Sequence, residues 1–475
     1  MSRSPASGAA PGLPFLAPRF SPFALALVRM ISPLYLRLGE GIGEVRVEGE
    51  DEFVREFAGF HAGTQRLVLA FRHPSVSDAP LLAWFFARRL PRRARSRGWS
   101  VPRRNFVHFL YGRGVPVWAG AAVSWFLPRL AAIPVYHRRN DSRGMREVRR
   151  IAAEGPFPLA IAPEGQVTYH NGSFGALEGG IGRIVEWCRQ DLAAAGEAGT
   201  GRSVRILPLS IYYRHGASAG KALDRVIRRF EKETGIPVGA SSADTAGRLA
   251  TALLQATRRL LDQLEGCYTR FLEAPRSGPP QRDDPGGLRG RIETLCAAAL
   301  RAGEQAHGIS SDGSLLDRVF RLRDAGWRAM FRDDLSELSA MERRFADARA
   351  DTARLLTRHM ELVDVLEYLD PRGIDPRGMD ATVLDRPCAE TGALWDRLVE
   401  YSLDLVDVVN RVEGGTIADR PRIRGRRAVI RAGRPVSAEE LTSAGGAGAQ
   451  RPGRRDRARA VQAYVEQEFS RLLQE

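Results

Sequence analysis

His73 and Asp78, five positions apart, lie in Phe71-Arg72-His73-Pro74-Ser75-Val76-Ser77-Asp78, just beyond a short apolar run. A neutral imidazole can take a proton from a hydroxyl, while a carboxylate on its other nitrogen fixes the tautomer and stabilises the imidazolium that forms. That is equipment for making an alcohol nucleophilic. Residues five apart on a continuous helix point to different faces, so the pair meets only across a bend. The chain supplies one: 67–71 reads as a buried strand, Pro74 disfavours helix at His73, and Ser77 or Asp78 can cap a helix over 79–90. Two other pairs share the spacing. His307 and Asp312 follow an alanine-rich helical stretch and read as a helix end and a cap; His359 and Asp364 sit in an unbent helical pattern and read as helix surface.

Three more segments have the form of an apolar run delivering polar groups. They are Ala132-Ile133-Pro134-Val135-Tyr136-His137-Arg138-Arg139, Leu159-Ala160-Ile161-Ala162-Pro163-Glu164-Gly165 and Arg205-Ile206-Leu207-Pro208-Leu209-Ser210-Ile211-Tyr212. In α/β sheets, sites form outside the carboxyl ends of strands, so the repetition places a base, a carboxylate and arginines along one edge.

In these four blocks, HPSVSD, AIPVYHRR, APEGQ and ILPLSIYY in that order, the chain resembles the glycerolphosphate and lysophospholipid acyltransferase superfamily. The resemblance covers roughly the second hundred residues and their flanks. It implies that His73 deprotonates an acceptor hydroxyl, that Asp78 orients it, and that the acyl group leaves a thioester of coenzyme A or acyl carrier protein. It further implies that Pro163, Glu164 and Gly165 help bind a glycerolipid-type, phosphate-bearing acceptor. Two departures stand out. Gln166-Val167-Thr168 replaces the threonine-arginine-serine that often follows the third block, and the arginine of the second block falls nearest to His137. The anion-binding role then passes to Arg138 or Arg139. No cofactor is expected beyond the acyl donor itself.

Four cysteines in 475 residues, at 188, 267, 296 and 388 with no CxxC spacing, argue against a disulfide framework or a zinc site and suit a reducing cytoplasm. The formal charge of +15 comes almost wholly from arginine, since Lys221 and Lys232 are the only lysines. A basic surface attracts anionic lipid headgroups, coenzyme A phosphates and acidic carrier proteins. Nucleic acid is not expected, for no finger, recognition-helix or aromatic-basic signature accompanies the charge.

No secretory signal and no membrane span is read. The apolar tract 115–135 contains Pro116, Pro128, Arg129 and Pro134 and is expected as buried helix and strand, with Trp118, Trp125 and Phe126 as core or acyl-channel lining. Residues 23–31 and 33–38 read as a broken amphipathic pair of helices suited to a membrane interface. The expected location is therefore the cytoplasm, peripherally on the inner face of the cell membrane.

The expected fold class is α/β, a mixed central sheet flanked by helices, with a large all-helical insertion. Membrane-associating helices would occupy 1–50, the acyltransferase-like domain 51–215 and the helical insertion 216–423. Long helices are read at 245–272, 315–369 and 392–412. The resemblance implies that 424–475 returns to the domain, as a strand with Gly433-Arg434-Pro435 and a closing helix over 457–473. Two other function classes stay open. Gly216-Ala217-Ser218-Ala219-Gly220 matches the G-x-S-x-G elbow of serine hydrolases between a strand and a helix, and a non-catalytic lipid-binding protein could keep the same fold.

Overall fold

The computed structural model describes residues 8–136, 141–195, 202–272, 285–443 and 453–474. The chain divides into two compact units, Phe15–Arg214 with Arg424–Glu475, and His215–Ile423 with Met1–Pro14.

The first unit is an α/β layer structure. Its elements run α1 (Pro22–Leu38), β1 (Ile42–Glu48), α2 (Glu50–His61), β2 (Gln65–Phe71), α3 (Asp78–Trp84), α4 (Leu90–Ser96), β3 (His108–Gly112), α5 (Val115–Arg129), β4 (Ile133–Val135), α6 (Ser142–Glu154), β5 (Leu159–Ile161), α7 (Gly180–Ala194) and β6 (Ser203–Arg214). A π-helical turn, Phe85–Arg89, joins α3 to α4. The chain then enters the second unit, whose main helices are α8 (Gly220–Thr234), α9 (Ala246–Leu272), α10 (Pro285–His307), α11 (Leu315–Met330), α12 (Ala340–Leu366) and α13 (Ala393–Val412). Back in the first unit, β7 (Arg426–Ala432), β8 (Val436–Ser437) and the closing helix α14 (Arg454–Gln474) complete the layers.

Eight strands form one mixed sheet in the order β1-β7-β6-β2-β5-β3-β4, with β8 alongside β6. Strands β6, β2, β5, β3 and β4 are mutually parallel, and β7 and β8 are antiparallel to β6. Alternation along the central strands sorts side chains to two faces. Leu67, Leu69 and Phe71 of β2, with Leu207, Leu209, Ile211 and Tyr213 of β6, join the core containing Phe53, Phe57, Phe85 and Phe86. Val68, Ala70, Val204 and Ile206 face the other way, toward Val148, Ile184, Val465 and Phe469. The closing helix approaches α7 so tightly that a Cβ on Gly182 would stand 2.0 Å from the Ala458 carbonyl oxygen.

Several local expectations change. Residues 22–38 form one helix rather than a broken pair, despite Pro33 inside it. Proline removes the hydrogen bond that the carbonyl four residues earlier would accept. Here that carbonyl belongs to Arg29, and Arg88 donates to it through Nη1 at 2.6 Å. The helix expected over 79–90 is present and continues to Ser96 through the π turn, but neither Ser77 nor Asp78 caps it with its side chain, because both side chains are spent on a buried network. Strands β1 and β3 have no counterpart in the sequence reading. Helix α5 carries no buried side chain; Trp118 and Trp125 are each 37% exposed, so they are not core. Only Phe126 packs partly against the first core. No helix among the described residues is long and apolar enough to cross a membrane.

The base of β3 carries a buried histidine that reports on the packing. His108 Nδ1 bonds the Ala131 carbonyl at 2.8 Å, which only a protonated Nδ1 can do, and Nε2 is buried without a partner among the described residues. Burial, with Arg66 and Arg150 nearby, brings its pKa down to about 4 despite the Ala131 bond. Because the folded value lies below the unfolded 6.5, folding favours the neutral ring. Stability is full above pH 6.5 and falls as the pH drops from there to about 4, by up to about 3 kcal/mol. Calorimetric unfolding across that window should show this loss, and His108→Asn should flatten the slope.

Candidate active site

Strand β2 ends at Phe71, and the next two residues carry the site. Arg72 is fully buried and donates to the carbonyls of Asn171 (2.9 Å), His170 (3.1 Å) and Ser173 and to Ser210 Oγ (3.2 Å), tying the loop after β5 to the strand ends. His73 follows on the bend, its ring edge-on to Phe71 with centroids 5.8 Å apart.

The bend brings His73 and Asp78 together, with Nδ1 2.8 Å from Asp78 Oδ2. Asp78 is completely buried, whereas the His73 side chain keeps 21% of its surface. A carboxylate with no water must find donors in the protein. Oδ2 also accepts the Ser75 backbone N–H at 2.9 Å, and Oδ1 accepts the Tyr213 hydroxyl from β6. Burial, together with the Asp78 charge, holds the Tyr213 phenol well above its usual pKa, so it stays protonated and donates. With the carboxylate on Nδ1, the proton sits there and Nε2 is the basic nitrogen. Nε2 has no hydrogen-bond partner among the described residues, which leaves it available to a hydroxyl.

Behind this pair stands a second polar layer. Arg426 of β7 lies over the Tyr213 ring, its guanidinium carbon 4.3 Å from the centroid, and donates to Ser77 Oγ. Ser77 in turn donates to Glu40 at 2.6 Å. Asn171 pairs with the Tyr213 backbone in both directions at 2.8 Å. Three strands and two loops thus hold one histidine.

Glu164, expected beside the acceptor, is 2% exposed, and both its oxygens accept backbone amides: Oε1 from His73 at 2.8 Å and Oε2 from Gly175 at 2.8 Å. Burial pushes its carboxyl up, against the pull of those two amides and of Arg72. The Thr168 amide donates to the His73 carbonyl at 3.0 Å, so the segment after β5 pins both backbone groups of His73. Pro163 is buried, its carbonyl accepting from the Glu178 amide at 2.7 Å. Gly165 has φ +72°, and a Cβ there would lie 2.7 Å from Glu178 Oε1, which explains glycine at this turn. The structure therefore gathers His73, Asp78 and Glu164, with Pro163 and Gly165 forming the turn. Arg138 and Arg139 lie outside the described residues.

Tyr213, Arg72 and Arg426 were not singled out in the sequence. For Tyr213 a signal existed: it shares the period-two face of Leu207, Leu209 and Ile211, which points it at α3. The other histidine pairs do not assemble. His359 Nδ1 meets the Tyr268 hydroxyl at 2.8 Å while Asp364 pairs with Arg323 at 2.5 Å, and Asp312 accepts from Ser310 at 2.6 Å. Ser218 lies exposed in a 3₁₀ turn, and among the described residues its hydroxyl meets no histidine. No group of histidine, cysteine and carboxylate side chains among the described residues could hold a metal ion. A depression of about 340 Å³ in the helical unit, lined by Asp224, Glu231 and Asp244, has those carboxylates capped by Ser242, Val238 and Ser241. Comparisons with known protein families, with curated proteins and with solved structures return no match.

Two substitutions separate the roles. Tyr213→Phe removes one donor from a buried carboxylate; if His73 acts as a base toward a hydroxyl, turnover should fall roughly tenfold, equivalent to about 1.4 kcal/mol, with KM unchanged in steady-state kinetics. Glu164→Gln keeps an acceptor for an incoming hydroxyl but sets an NH2 against a backbone N–H. If Glu164 holds the loop, this change should destabilise the protein by about 1–3 kcal/mol in denaturant unfolding; an unchanged midpoint with raised acceptor KM would make it a substrate ligand instead.

Proposed function

We propose that the protein is an O-acyltransferase of the glycerolphosphate acyltransferase type, moving an acyl group from a coenzyme A or acyl-carrier-protein thioester to the hydroxyl of a glycerolipid-type, phosphate-bearing acceptor. The observation that carries this reading is the His73–Asp78 contact at 2.8 Å, with Nε2 unengaged among the described residues, at the carboxyl ends of the parallel strands of the mixed sheet. Support also comes from the four sequence blocks, which fall on or just after β2, β4, β5 and β6, four of the five mutually parallel strands, with β3 lying between β5 and β4.

In the proposed reaction, Nε2 of His73 takes the acceptor's hydroxyl proton as its oxygen attacks the thioester carbonyl. The new C–O bond forms, the C–S bond breaks, and the departing thiolate recovers the proton from the imidazolium. Asp78 holds the Nδ1 side of the ring and steadies its positive charge. No covalent acyl-enzyme is required. The acceptor's phosphate is assigned to Arg138 or Arg139 on the sequence pattern alone, because Arg113, at the end of β3, is already paired with Asp141 at 2.7 Å. A lipid acceptor implies work at a membrane surface, peripherally and from the cytoplasmic side, and the exposed apolar face of α1 supports that placement.

The test is transfer of labelled acyl groups from acyl-CoA and from acyl carrier protein to a panel of lysolipids, glycerol phosphate and simple alcohols. Loss of the general base should cost about 10²–10⁴-fold in His73→Ala, with a comparable loss in Asp78→Asn. Unchanged transfer in both variants would refute the mechanism.

A further inference from the structure

Helix α1 exposes its apolar residues on one side. Phe23 and Met30 are each 69% exposed, Leu34 63% and Leu38 56%, and their successive spacings of seven, four and four residues place them on one stripe. Ile31 and Tyr35 widen it. The start of α1 is joined to the end of α5 by bonds from the Arg19 and Ser21 amides to the carbonyls of Pro128 (2.7 Å) and Arg129 (2.8 Å). Helix α5 adds exposed Val117, Trp118 and Trp125. A monomeric protein in water rarely leaves so much contiguous apolar surface uncovered.

Arginines line one flank of this stripe. Arg29 lies one residue before Met30, hence about 100° around the helix, and its Nη1 donates to the Arg103 carbonyl at 2.9 Å. Arg88 reaches the Arg29 carbonyl, and Arg92 and Arg95 follow on α4. Among the described residues none of these five guanidiniums meets a carboxylate, whereas Arg89, Arg93 and Arg97, on the same stretch, pair with Glu50 and Asp51. Arg29 is held below the usual arginine range by burial and by repulsion from Arg103, Arg92, Arg95 and Arg88. Like charges packed together without counterions call for an anion from outside.

We propose that the α1 stripe and the cluster of Arg29, Arg88, Arg92, Arg95 and Arg103 form one docking surface whose occupant is an anionic lipid bilayer. The apolar side chains enter the headgroup region, and the arginines take the headgroup phosphates beside it. A bilayer fits where an acidic protein does not, because the apolar stripe runs the length of α1 and adjoins the cations. The inference rests on the reading of α1 as membrane-facing but not on the chemistry at His73.

Flotation of the full chain with vesicles of phosphatidylcholine alone, and with phosphatidylglycerol added, tests it. Binding should require phosphatidylglycerol and weaken with salt. Replacing the exposed Arg92, Arg95 and Arg103 by glutamine should lower partitioning roughly a hundredfold, about fivefold for each arginine. Leu34→Asp should release the protein as well, with unchanged circular dichroism in each variant. Equal binding to neutral vesicles, no vesicle binding, concentration-dependent dimerisation that buries the face, or capture only of acyl carrier protein would each overturn the proposal. His73→Ala should float like the unaltered protein; if neither transfers acyl groups to a soluble acceptor yet both float, the docking stands and the acyltransferase reading fails.

Discussion

Asp78 is a carboxylate with no access to water, and the geometry of the first unit follows from satisfying it. An isolated buried charge is intolerable, and removing one partner from such a group costs more than the interaction itself returns. Its donors come from three places: the His73 ring on the bend after β2, the Ser75 amide within the bend, and the Tyr213 hydroxyl from β6. Strand β6 must pair with β2 in the observed register for Tyr213 to reach across, and that register matches Phe71 with Leu209. A slip of one residue would turn Tyr213 to the opposite face. The requirement that positions the base therefore also fixes the register of two central strands.

The same accounting explains the segment after β5. His73 sits where neither helix nor sheet satisfies its backbone, so its N–H goes to Glu164 and its carbonyl to the Thr168 amide. Arg72, one residue earlier, binds the loop carbonyls at 170, 171 and 173. The imidazole thus rests on a backbone held from two sides, and its ring is held by the carboxylate. On the proposed reading of His73 as a general base, this rigid placement is what catalysis demands, since misplacement by about 1 Å costs on the order of a hundredfold.

Much of this was legible in residue order, for physical reasons. The apolar runs ending in His73, Glu164 and Tyr212 are strands buried on both faces, which read as continuous hydrophobic stretches. The bend at Pro74 could be inferred because proline constrains its predecessor. Strand β1, Ile42–Glu48, alternates valine with charge at the sheet edge and is short on apolar residues, so it left little trace. Strand β3 hides inside His108–Gly112, where the buried histidine interrupts the pattern. The tryptophans of α5 are not core; composition cannot distinguish an apolar helix turned inward from one left on the surface. The strand period gives the face of Tyr213 but not its partner, and Arg426 left no signal, because their partners are 135 and 349 positions away, at Asp78 and Ser77.

The helical unit shows buried charge held by partners within one helical layer. Helix α13 buries Asp396, Glu400, Asp404 and Asp407 along one stripe, a pattern that in isolation resembles a metal-binding helix. Each carboxylate is engaged within the unit. Arg420 reaches Asp404 at 2.6 Å and Asp407 at 3.2 Å, Arg397 lies 3.8 Å from Glu400, and Asp396 accepts the His215 amide at 2.6 Å, while Arg411 of the same helix pairs with Glu361 of α12. Burial raises the Asp404 carboxyl even beside Arg420 and Arg397, so desolvation outweighs its partners there. Such pairs contribute little net stability against an apolar replacement, but each misaligned packing of α12 on α13 would strand a charge. The contrast with Asp78 is instructive: there the stripe's logic is the same, a carboxylate saturated with donors, yet one donor is an imidazole with its far nitrogen unengaged. That free nitrogen, rather than burial or charge, is what makes the Asp78 arrangement the candidate site.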